Sequence, residues 1–73
     1  MASKMKLVRV ADGVEIKPGD LVTTFRGEVA VLEDAREPQH SGSTGRVYVR
    51  FDGATWPREF FPGVIGAEWV AAN

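Results

Sequence analysis

Along the chain, apolar and polar residues alternate in short runs that glycine and proline cut apart, and no stretch carries a helical i, i+3, i+4, i+7 apolar spacing over three turns. The pattern predicts strands. The clearest is "GRVYVRFDG", Gly45 to Gly53, in which Val47, Val49 and Phe51 alternate with Arg46, Tyr48 and Arg50. Strand side chains point alternately to the two faces of a sheet, so one face is aliphatic and aromatic and the other carries guanidinium, phenol and guanidinium. "KLVRV", Lys6 to Val10, is a second β-prone run, and Asp12-Gly13 after it marks a tight turn. "KPGD", Lys17 to Asp20, fits a type II turn, with Pro18 presetting φ at the second position and Gly19 accepting positive φ at the third. A strand "LVTTF", Leu21 to Phe25, is expected to follow.

Arg26-Gly27 lies between that strand and "EVAVLE", which reads as a hairpin with Gly27 in the strained position. Ala30 and Leu32 oppose Val29 and Val31, so both faces of this arm are apolar, as in a strand enclosed on both sides or a barrel strand that bends across the core. Residues 35–44, "AREPQHSGST", are rich in turn formers and read as the longest loop. Asp52-Gly53, flanked by β-prone residues, predicts a hairpin with "ATWPREFF" as its returning arm. Pro57 cannot donate to a ladder, so that arm is an edge strand, or is bulged or broken there. "PGVIG", Pro62 to Gly66, suits one 3₁₀ turn, and "AEWV" is the last short strand. The expectation is one all-β domain over residues 1–73, with residues 1–5 disordered or a leader.

At 73 residues the chain has room for one small core. Cysteine is absent, which excludes disulfides, thiolate metal sites and a cysteine nucleophile and is compatible with a reducing cytoplasm. His40 is the single histidine, so neither a metal site nor another cofactor is expected. Nine Lys and Arg against ten Asp and Glu give a net charge of −1, which supplies no global positive field toward nucleic acid. No apolar run exceeds four residues, the length of Val29 to Leu32, which is far short of a membrane span. A cytoplasmic protein without membrane contact is the expectation.

The order of elements, with a long loop, a hairpin and a 3₁₀ turn in "FFPGVIGAEWV" before the final strand, resembles the SH3-like small barrels. This resemblance implies a five- to six-stranded antiparallel barrel. "GD-V--FRGE", Gly19 to Glu28, together with "TGRVYV" and "REFFPGVIGAEWV", is also similar to small proteins encoded by tailed phages and prophages, over most of residues 16–70. That likeness implies action inside a bacterial host. The acidic-aromatic segment of peptide-binding SH3 domains is missing, as is the glycine expected inside the second strand of a KOW motif.

Three groups of residues are candidates for chemistry. Arg46, Tyr48 and Arg50 could hold phosphate and stack on an unpaired base, or could pair with acids such as Glu28, Glu33 or Glu59 across the sheet. Among Trp56, Phe60, Phe61 and Trp69, two or three rings are expected to fill the core, and at least one to reach the surface beside proline as a binding or self-association patch. "HSGSTG", His40 to Gly45, lacks the spacing of a phosphate-binding loop and a positioned acid for a catalytic triad. Glu33 and Asp34, as strand neighbours, are expected on opposite faces. No catalytic constellation remains, and the expectation is a non-enzymatic adaptor, inhibitor or assembly factor that binds a protein through Arg46, Tyr48, Arg50, Trp56, Arg58 and Phe60. The alternative is a single-stranded nucleic-acid or RNA binder using the Arg46, Tyr48 and Arg50 face. Homo-oligomerisation is compatible with either.

Overall fold

The structure, a computed structural model, describes residues 5–40 and 42–72. In chain order its elements are β1 (Met5–Arg9), β2 (Leu21–Thr23), β3 (Val29–Arg36), β4 (Arg46–Phe51), β5 (Arg58–Phe60), the 3₁₀ turn η1 (Pro62–Ile65) and β6 (Ala67–Ala71). The all-β expectation holds, with the 3₁₀ turn where "PGVIG" placed it. Met5, expected in a disordered or leader segment, is the first residue of β1 and pairs with Ala71; residues 1–4 of that segment lie outside the described residues. Among the described residues no helix is long and apolar enough to cross a membrane.

The strands form two antiparallel sheets, β1-β6 and β2-β3-β4-β5. They do not close into a barrel, which corrects the closed architecture expected. The reason is local. Pro57 cuts the returning arm of the hairpin to three residues, and η1 then turns the chain away before β6 can pair with β5. The sheets are tied at a corner instead: Phe25 N–H, just past β2, donates at 2.9 Å to Val64 O in η1, just ahead of β6.

The core lies between the sheets. Leu7, Ile16, Val22, Ala30, Leu32, Val47, Val49, Ile65 and Ala67 are buried, and Ala35, Phe51, Phe60 and Trp69 pack against them. Its fully buried members are the aliphatic Leu32, Val47 and Val49, each contributing roughly 1.5–3 kcal/mol by leaving water. The alternation of β4 therefore runs as predicted, with Val47 and Val49 inward and Arg46, Tyr48 and Arg50 outward. Of the four late aromatics only Phe60 and Trp69 join the core, while Trp56 and Phe61 are 76% and 56% exposed.

Four local expectations are corrected. The strand "LVTTF" ends at Thr23, because the Thr24 hydroxyl accepts from Arg26 N–H (3.3 Å) and Glu28 N–H (3.2 Å) and turns the chain. Phe25 swings out and is 77% exposed. The arm "EVAVLE" is not enclosed on both sides: Ala30 and Leu32 are buried, but Val29 and Val31 face solvent. Ala35 and Arg36, assigned to the loop, belong to β3 and pair with Val47 and Arg46.

The fourth correction concerns Glu33 and Asp34. Leu32 pairs with Val49 and Asp34 with Tyr48, so Glu33 is an extra residue, a β-bulge. The bulge shifts the alternation by one. Asp34 thereby lies opposite outward Tyr48 rather than beneath the sheet, and Ala35 takes the core position opposite Val47. Glu33 and Asp34 share the outer face, where strict alternation separates them.

Candidate partner-binding surface

The outer face of the four-stranded sheet is built in rows. One row runs Leu21, Val31, Arg50, and the next runs Thr23, Val29. At the opposite end Asp34 faces Tyr48 and Arg36 faces Arg46. Leu21 and Val29 are 63% and 54% exposed, so the β2-β3 half of this face is an apolar stripe beside the arginines.

Arg50 holds the centre. Because Pro57 keeps the returning arm out of the ladder as far as Arg58, residues 54–56 leave the sheet and their carbonyls need other donors. Arg50 Nη1 supplies them, donating to Thr55 O and, at 3.3 Å, to Ala54 O. Its Nε and Nη2 donate to the two carboxylate oxygens of Glu33, the second at 3.0 Å. This fork holds the Glu33 carboxyl below its ordinary 4.5, chiefly through the hydrogen bond and then through charge, against partial desolvation that pushes it up. The Arg50 guanidinium is correspondingly raised, first by the same hydrogen bond.

Arg46 and Tyr48 converge on Glu59, which lies opposite Tyr48 in β5. Arg46 Nε is 3.4 Å from Glu59 Oε2, and the Tyr48 hydroxyl donates to the same oxygen at 3.5 Å. The Arg46 guanidinium lies 4.4 Å above the centroid of the Phe61 ring, and that of Arg36 lies 5.7 Å from the Tyr48 ring. Of the acids named from the sequence, Glu33 and Glu59 take these partners. Glu28 instead accepts from the Thr24 hydroxyl at 3.2 Å.

The six residues singled out from the sequence do not form one patch. Arg46, Tyr48 and Arg50 share the outer face. Trp56 sits in the bend held by Arg50 and projects into solvent. Arg58 and Phe60 pair with the inward-pointing Val49 and Val47, so they lie on the other side of the sheet. Phe60 meets Phe51 edge-on, with centroids 6.1 Å apart and planes at 81°. Sequence reasoning missed Leu21, Val29 and Val31 because "EVAVLE" looked enclosed; the polar Thr23 in the row beside them is a weak sign that this face is wet.

A separate groove of about 850 Å³ lies between the 38–44 loop, Phe61–Gly63 and β6. Trp69 and Arg46 line it, and the indole Nε1 of Trp69 is buried without a hydrogen-bond partner. Gly45 seals this end. Its φ is +69°, and a Cβ there would meet the Arg36 carbonyl and come within 2.6 Å of Trp69 Nε1. His40 also lines the groove. No family model matches this chain, and no match was found among curated proteins or solved structures.

Proposed function

We propose that the chain is a non-enzymatic protein-interaction module with an open, SH3-like arrangement of its two sheets, encoded by a tailed phage or prophage and acting in the bacterial host as an adaptor, inhibitor or assembly factor. One observation carries the choice of partner class. Arg46 and Arg50 are already engaged by Glu59 and Glu33, while Leu21, Val29, Val31 and Trp56 stand in solvent around them. A face with neutralised guanidiniums and uncovered apolar side chains suits a protein surface, where arginine and aromatic residues are enriched. A phosphate backbone would have to displace both carboxylates. The test is capture by the tagged chain from bacterial lysate, compared with a Tyr48→Ala, Trp56→Ala double variant. A partner lost on the double substitution is the expected result, and capture unchanged by it overturns the reading.

The alternative, a single-stranded nucleic-acid or RNA binder, draws on Arg36 facing Arg46 with Tyr48 beside them. It requires salt-sensitive binding that weakens when Arg46 and Arg50 become alanine. Fluorescence anisotropy at low salt with no binding removes it.

A further inference from the structure

The arginines of this protein divide into two sets. Arg9, Arg46 and Arg50 each have a carboxylate within ion-pair distance. Among the described residues Arg26, Arg36 and Arg58 have none, and Arg26 and Arg58 line one cleft, with Thr24, Phe25, Glu28, Phe51, Phe60 and Val64.

The placement follows from register. Arg58 pairs with inward-pointing Val49, yet β5 is a three-residue edge strand, so its side chain emerges at the mouth between the sheets instead of entering the core. The Thr24 turn carries Phe25 and Arg26 to the same mouth, where Phe25 N–H is fixed to Val64 O. Each guanidinium is backed by a ring: Arg26 lies 5.7 Å from the centroid of Phe25 and Arg58 lies 5.9 Å from that of Phe60. Two cations set on aromatic rings around an apolar floor form a site of mixed character. At about 420 Å³ the cleft is near the lower end of ligand pockets, roughly 300–1,000 Å³.

We infer that this cleft binds a carboxylate-bearing peptide segment of a protein partner, the acid between Arg26 and Arg58 and a neighbouring apolar side chain against Phe25, Phe51 and Phe60. The inference rests on the reading of the chain as a protein-interaction module. Glu28 decides between a carboxylate and a polyanion. It is held at the cleft by the Thr24 hydroxyl, and its charge, with a chain net charge of −1, opposes a phosphate backbone more than a single acid. An isolated carboxylate can take bidentate bonds from a guanidinium whose own acids are elsewhere.

The experiment is an NMR titration of the full chain with the peptide acetyl-Asp-Phe-amide, beside acetyl-Asn-Phe-amide, inorganic phosphate and an eight-nucleotide oligothymidylate. The expected result is saturable shifts at the side-chain N–H groups of Arg26 and Arg58 and at the Phe60 ring, with the Asn peptide about tenfold weaker or more. An Arg26→Gln, Arg58→Gln variant, both positions being exposed, keeps the dispersed spectrum and loses the shifts. Equal response to the Asp and Asn peptides, no response, or tighter binding of phosphate or oligothymidylate overturns the inference. The Tyr48→Ala, Trp56→Ala variant separates the two readings: it keeps the peptide shifts when the cleft binds, whether or not capture by the outer face survives.

Discussion

Arg50 and Glu33 meet across the bulge in β3 as a two-point fork, guanidinium Nε and Nη2 on the two carboxylate oxygens, while the same arginine's Nη1 holds the carbonyls of Ala54 and Thr55. One side chain thus ties the bulge to the bend that carries Trp56.

The pH dependence follows from the direction of that coupling. The Glu33 carboxyl is held below its ordinary 4.5 in the folded chain, so its contribution is fully present above that value and is lost as pH falls from there through the lowered folded value. Asp12, lowered from 3.8 first by the Val14 N–H and also by Arg9, adds to the same acid limb at slightly lower pH. Urea midpoints of Glu33→Gln against the parent chain between pH 7 and pH 3 should converge as pH falls. A constant gap would show that the charge on Glu33 does not act through Arg50.

Arg50→Ala removes two things, the carboxylate fork and the donors to two backbone carbonyls. It should lower the urea midpoint more than Glu33→Gln, and Trp56 fluorescence should lose anisotropy as its bend is released. Equal effects of the two substitutions would mean that the carbonyl contacts carry nothing.

Gly45→Ala should be markedly destabilising. The residue is buried at φ +69°, and a Cβ meets a backbone carbonyl and the Trp69 indole together. Gly53 offers a control: its φ is +79°, but a Cβ there has nothing within 4 Å. Denaturant unfolding should give about 1 kcal/mol for Gly53→Ala, the left-handed penalty alone, and about 2 kcal/mol or more for Gly45→Ala. Equal losses would contradict the packing at Gly45.

Leu32→Ala deletes a side chain with 1% exposure at the centre of the core and should cost about 2–5 kcal/mol. For a domain of this size that is a large share of the total, so the thermal midpoint should fall by roughly 10 °C or more. Val31→Thr, one residue earlier and facing out, should stay within about 0.5 kcal/mol of the parent. Comparable losses at the two positions would mean that β3 is covered on both faces after all.

Several features were legible because they are local. The turns at 12–13, 17–20, 26–27 and 52–53 follow from residues that accept positive φ, and Gly13, Gly19, Gly27 and Gly53 all take it. The parity of β4 follows from strict alternation of aliphatic and polar residues, and the 3₁₀ turn from Pro62 bounded by Gly66. Pro57 pointed to an arm that is an edge strand, or is bulged or broken there, and β5 is a three-residue edge strand that starts only after it. The candidate site was legible only in part: Arg46, Tyr48 and Arg50 do share a face, but Arg58 and Phe60 do not belong with them.

By itself, then, the sequence determined an all-β chain, its turns, and the inward and outward sides of β4, since each depends on backbone preferences and period within a few residues. Tertiary structure decided the rest: that the sheets stay separate, that a bulge at Glu33 brings two acids to one side, that Val29 and Val31 are uncovered, and that Arg26 and Arg58 share a cleft. These depend on which strand lies opposite which and in what register. Register is set by the packing of distant residues such as Leu32 on Val49, and a shift of one position moves every following side chain to the other face.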